Sequence, residues 1–171
     1  MEPPTHKGLL QYTGGFFYYK FIYQMQNDLH ELRHSTSHLL AAAVEALWPG
    51  TNRAIGPSID DGFYYDFDFA TPITESDLPK IEKKMAEIAK TWHSFERYEV
   101  SKEEALKEFA DNPYKCELIN EFAKNGEAIS IYQSGKLRDL CEGGHIGDPK
   151  QIKFFKLTSL AGAYWRGNEK N

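Results

Sequence analysis

Cysteine is scarce in this chain. Two residues in 171, Cys116 and Cys141, cannot make a disulfide framework, and so few thiols point to a reducing cytoplasm. No apolar run approaches the ~20 residues that span a bilayer, and no basic-then-apolar leader opens the sequence, so neither a membrane protein nor a secreted one is expected. Positive charge is also short. A net charge of −5 argues against a stand-alone polyanion binder, because phosphate binding is driven by Lys and Arg. Any nucleic-acid partner must be gripped by a local basic patch or by another domain. Internal repeats and low-complexity tracts are absent. What is present is 41% hydrophobic residues with 26% charged, enough to bury the core of one domain, alone or with a small satellite.

Residues 1–24, MEPPTHKGLLQYTGGFFYYKFIYQ, crowd aromatics together with no helical or strand period. They read as an extension without a functional role, or as a docking strand, ahead of a domain over 25–171. From Asn27 to Trp48 a helix is predicted, with Leu32, Leu39, Leu40, Ala43, Val44 and Leu47 on one stripe and Pro49-Gly50 as its stop. GFYYDFDFA alternates as a strand does, with Phe63, Tyr65, Phe67 and Phe69 on one face. ESDLPKIEKKMAEIAKTW is an amphipathic helix that turns Leu78, Ile81, Met85, Ile88 and Trp92 inward. FERYEV is a short strand. Ser101 and Glu104 make a capping-box pattern for the next helix, and NPYKCELINEFAKNG is a further helix ended by Asn125-Gly126. The last third reads as strand-rich, from AISIYQ and KLRDLC through the loop EGGHIGD to IKFFKLTSLAGAYWRG. Its hairpins favour an α+β fold with a mostly antiparallel sheet packed with helices.

Two features carry chemistry. In RHSTSHLL, His34 and His38 lie four apart, nearly opposite the leucine stripe and aligned with Ala41 and Glu45, so they face either solvent or a cleft. HxxxH alone is a weak signal. The second feature is LRDLCEGGHIGD, where Cys141 and His145 flank Gly143-Gly144 and Asp139 shares a strand face with Cys141. Singly, each residue has an ordinary explanation, a buried thiol or a plain turn. Together they form a quartet with two possible chemistries. Three His and one Cys can hold zinc, or imidazoles can manage a water as general base and acid with the thiol as neighbour or nucleophile.

The order and spacing of HSTSHLL, AIGPSIDDGFYYDFD, DLCEGGH and FFKLTSLAGAYWRG resemble the second N-terminal domain of bacterial-type threonyl-tRNA synthetases, over roughly residues 28–171. The editing domains of alanyl-tRNA synthetases are related. The resemblance implies an editing-domain-like fold and a module that hydrolyses serine wrongly esterified to threonine tRNA. It places His34, His38, Cys141, His145, Lys115 and Asp139 in the catalytic site, and Tyr65 on the pocket. Glu142 has no assigned role. No metal is expected, with zinc on His34, His38, Cys141 and His145 as the alternative. The family usually has proline where Gly144 stands, and that change is expected to loosen the loop carrying His145.

Neither the class II aminoacylation core nor the anticodon domain of such a synthetase is visible, so no aminoacylation is expected, and the polar ending RGNEKN favours an excised domain over a free-standing editor. The partner implied is the acceptor end of tRNA(Thr) carrying serine. Its RNA contacts are expected from Lys136, Arg138, Lys153, Lys156 and Arg166, with Arg166 also binding substrate; each of these basic residues can equally be a solvated side chain. Two rivals stand beside this reading, a zinc-dependent hydrolase of the same fold and a non-catalytic tRNA-binding module.

Overall fold

The computed structural model describes residues 15–162 and 165–167, with side chains from Met25 onward. Helix α1 runs over Gly15–Leu47, starting well before the Asn27 expected from the sequence. From Phe16 to Trp48 there is neither glycine nor proline, so nothing in the chain breaks the helix earlier. The first fourteen residues of the predicted extension lie outside the described residues.

After α1 the chain forms a narrow antiparallel ribbon. Strand β1 (Asn52–Arg53) pairs with β4 (Phe67–Asp68), and β2 (Ser58–Ile59) pairs with β3 (Gly62–Phe63). The single strand predicted for GFYYDFDFA is therefore two short pieces. Its partner carries Gly56-Pro57, where proline offers no N–H to the ladder. The amide of Asp66 still donates to the carbonyl of Ile55 at 2.8 Å, which keeps the ribbon together. The predicted alternation survives this interruption: Tyr65 is buried, while Phe63, Phe67 and Phe69 pack on the core and Tyr64 stays exposed.

Gly56 is needed where it is. A Cβ there would stand 2.1 Å from Cδ2 of Tyr65, so the ring lies directly on the backbone. Gly56→Ala should lower stability by about 1–3 kcal/mol through overpacking. An unchanged urea midpoint would mean that Tyr65 can move aside freely.

Helix α2 (Leu78–Ala89) presents Ile81 and Met85 to α1, with Trp92 just beyond its end. Strand β5 (Glu96–Glu99) is the exposed edge of a sheet ordered β5-β6-β7, in which β6 is Ser130–Ser134 and β7 is Leu137–Leu140. Both pairings are antiparallel. Helix α3 (Lys102–Glu108) opens with the predicted capping box. In α4 (Pro113–Asn125), Asn112 caps the start and Gly126, at φ 73°, ends it. The fold is α+β, as the hairpin patterns indicated.

One prediction fails. Residues 152–162 form no strand; Ile152, Phe155 and Leu157 instead pack singly on the core, and the amide of Leu157 is held by Glu82 at 2.7 Å. No neighbouring strand offers this segment a ladder of hydrogen bonds.

Two apolar clusters result. One joins α1, α2 and the ribbon; the other joins α3, α4 and the sheet around Ile119 and Ile131. The seam between them holds the site.

Candidate active site

A cavity of about 390 Å³ opens in that seam, lined by α1, the ribbon, α4, β7 and the CEGG loop. His34 and His38 face it, so the side of α1 away from the leucine stripe borders a cleft rather than solvent. Lys115, Asp139, Cys141 and Tyr65 also line it.

The quartet is assembled. His34 Nε2 is 3.3 Å from His38 Nε2 and 3.5 Å from Cys141 Sγ, which is 3.3 Å from His145 Nε2. All four ligating atoms lie within 4.8 Å of one another. An acceptor on the far side of each of two rings favours a proton at Nδ1. The Nδ1 of His34 is 3.3 Å from the Gly144 carbonyl, which only accepts, so Nδ1 carries the proton. The Nδ1 of His38 is 3.5 Å from the Asp139 carboxylate, with the same consequence. Both Nε2 atoms therefore turn bare lone pairs into the same space. Two such lone pairs at this separation repel unless a water, a proton or a cation lies between them.

The loop reaches this geometry through its glycines. Gly143 has φ 119° and Gly144 φ 80°, and proline, fixed near −65°, cannot take the second. The chain thus uses a backbone that a Gly-Pro-His loop lacks. Nor is His145 loose: its Nδ1 lies 3.2 Å from Ser35 Oγ, which also accepts the Ile146 amide at 3.1 Å. Its ring stacks on Phe95 with centroids 4.4 Å apart and planes 2° apart. Helix α1 and Phe95 thus hold the imidazole directly, whatever the loop backbone.

Behind the quartet sits a buried charge network centred on Asp139. Lys115 Nζ lies 2.8 Å from one carboxylate oxygen and Tyr65 donates to the other at 2.5 Å. Arg53 approaches to 3.9 Å, and its guanidinium also donates to the Arg138 carbonyl. Asn112 assembles this corner: its side chain caps the Lys115 amide at 3.1 Å and donates to the Arg53 carbonyl at 2.8 Å.

Burial dominates the protonation states. It would raise the Asp139 carboxyl, but Lys115, Arg53 and His38 hold it well below the usual carboxylate range. Burial lowers Lys115, and Asp139 opposes that. Burial brings His38 down to about 3 and His145 to about 2, and it lowers His34 too. The Cys141 thiol is pushed up to about 12, again by burial. At neutral pH the site therefore holds three neutral imidazoles, a neutral thiol and a Lys115–Asp139 ion pair.

No family model matches the chain, whereas curated proteins do. It is 54% identical over 148 residues to the threonine–tRNA ligase of Borrelia garinii subsp. bavariensis, 52% over 143 residues to that of Rubrobacter xylanophilus, and 49% over 144 residues to that of Dehalococcoides mccartyi. The chain is a relative of the threonine–tRNA ligases. These matches take in 84–85% of this chain but only 22–25% of each ligase, so it spans about a quarter of their length.

Six of the eight residues the sequence singled out line the cavity, His34, His38, Cys141, Lys115, Asp139 and Tyr65, and His145 joins them through its 3.3 Å contact with Cys141 Sγ. Arg166 stays apart, bound to Glu117 and Glu121 on the outer side of α4. Among the described residues no helix is long and apolar enough to cross a membrane. Sequence reasoning missed Arg53, Ser35, Phe95 and His30. The last had a signal, since it extends the His34–His38 spacing by one more step of four and lines the cavity mouth with Glu142.

Proposed function

We propose that this domain hydrolyses the ester of serine mischarged on tRNA(Thr), as the proofreading part of a threonine–tRNA ligase. The supporting observation is the pair of bare Nε2 atoms over a buried Lys115–Asp139 pair in one small cavity. A pocket discriminates one methyl by only about 1–3 kcal/mol, so serine escapes the synthetic site and a second site must remove it.

His34 and His38 accept the proton of the attacking water at Nε2. Asp139 has little capacity left for the substrate's ammonium group, because Lys115, Tyr65, His38 and Arg53 surround it. It orients His38 and anchors Lys115, whose charge favours the oxyanion. Glu142, exposed at the mouth, is the carboxylate available to the ammonium. Cys141, protonated, is a wall against the threonine methyl.

A second reading has its own support. Three of the six ligand separations, 3.3–3.5 Å, match the edges of a tetrahedron around a centre at ~2.0–2.3 Å, and the set spreads to 4.8 Å, so the quartet would close inward slightly to hold zinc. Zinc held by three of the four, with water in the remaining position, would act as a Lewis acid and supply a hydroxide at neutral pH. The Nδ1 contacts to Gly144 and Asp139 would orient two of its ligands.

The test is deacylation of seryl- and threonyl-tRNA(Thr) side by side, with metal analysis of protein purified without a polyhistidine tag. Serine should leave and threonine remain, and His38→Ala should slow the reaction by about 10²–10⁴. Wild-type rates in that variant would end the catalytic assignment. One equivalent of tightly held zinc would select the second reading.

A further inference from the structure

The basic residues near the end of the chain do not form the patch that their clustering in sequence suggests. Arg138 is bonded to Glu108 at 2.7 Å, Lys156 to Glu82 at 2.9 Å, and Arg166 to Glu117 and Glu121. A different group of cations gathers elsewhere. Lys83 and Lys90 lie two turns apart on one face of α2, roughly 10 Å along its axis. Lys150 and Lys153 come to meet them from the segment after the CEGGH loop. All four are exposed around one shallow depression of about 650 Å³.

The neighbouring acids are already engaged. Glu82 accepts from Lys156 and the Leu157 amide. Glu87 is bonded to Lys84 at 2.5 Å, and Asp148 caps the Lys150 amide at 3.0 Å. None of the four ammonium groups is in an ion pair among the described residues. On the rim stands Phe154, 95% exposed, while among the described residues the next most exposed large hydrophobic one, Met25, reaches 49%.

We propose that this face docks RNA, the lysines taking backbone phosphates and Phe154 stacking on an unpaired base. The proposal rests on the reading of the site as an RNA-ester hydrolase and adds the surface that holds the RNA. A local excess of four unpaired cations runs against a chain of net charge −5, and it suits a polyanion that gains by releasing counterions. A protein partner fits less well, since lysine is depleted at the centre of protein interfaces. Unpaired lysines around an exposed aromatic ring are the combination that tracks single-stranded backbone and stacks bases. The face also adjoins the catalytic loop along the chain. Lys90 precedes Phe95, the stacking partner of His145, by five residues, and Lys150 follows His145 by five.

The test uses unmodified tRNA(Thr) transcript as the binding probe, titrated by anisotropy between 50 and 200 mM KCl, with the serine ester of adenosine as a small substrate. Replacing Lys83, Lys90, Lys150 and Lys153 together by Gln should weaken tRNA binding at least tenfold and flatten the log–log salt slope by about 3. Phe154→Ala should weaken binding about fivefold or more at nearly unchanged slope. Both variants should hydrolyse the small ester as the parent does. Unchanged affinity and slope in the quadruple variant would overturn the docking face, even if seryl-tRNA were still deacylated. A parent protein that binds tRNA through these lysines but hydrolyses neither ester would instead overturn the function and leave the face standing.

Discussion

Lys115→Met is expected to lower stability by about 3–5 kcal/mol and to abolish deacylation. The ammonium is fully buried and 2.8 Å from Asp139, so its removal strands a buried carboxylate without its nearest counterion. Arg53 at 3.9 Å and His38 at 3.5 Å remain, but neither replaces the contact. For a domain of this size the loss corresponds to a fall in melting temperature of roughly 6–20 °C. Asp139→Asn in the same background should recover part of it, because a neutral pair carries no stranded charge. Deacylation should not recover, since neither the cation nor the oriented His38 returns. Thermal melts of the two single variants and the double variant decide the matter. A Lys115→Met protein as stable as its parent would show that the pair is not held as described. If activity fell only in step with the folded fraction, Lys115 would be structural and nothing more.

That network also marks where the sequence stops being legible. The helix pair could be read because a period of four leaves a visible trace, and Cys141 and His145 because they flank two glycines. Asp139 followed from strand alternation. Arg53 left no such trace: in TNRAIG it looks like a turn cation, and it becomes a partner of Asp139 only when the ribbon folds against β7. Phe95 reads as an ordinary strand residue in FERYEV, yet its ring fixes His145. Arg138, Lys156 and Arg166 read as free cations because their acids, Glu108, Glu82, Glu117 and Glu121, lie 30 to 74 residues away in the chain. Local patterns report periodicity and turn chemistry. They do not report which distant side chains a fold brings into contact.

The neutral imidazoles carry a cost that appears in acid. His38 and His145 titrate at about 3 and about 2 in the fold, against an ordinary value near 6.5 in the unfolded chain. Between those limits the unfolded state binds more protons, so stability is present above pH 6.5 and is lost as pH falls below it. With two such groups the slope approaches roughly 3 kcal/mol per pH unit, and two units below 6.5 consume about 5 kcal/mol, a large part of a typical domain's margin. The Asp139 carboxylate acts in a lower window. Its contribution is present above its ordinary value near 3.8 and is lost as pH falls through its depressed folded value, so it cannot cause a loss between pH 6 and 4. Denaturant unfolding in a chelator, which removes any contribution from metal ligation, should therefore show stability falling steeply from pH 6 to pH 4. His38→Gln with His145→Gln should flatten that fall while leaving any loss below pH 4 in place. A parent protein whose stability is level from pH 7 to 4 would mean that the His38 and His145 rings are open to water, and their burial between the two cores would have to be abandoned.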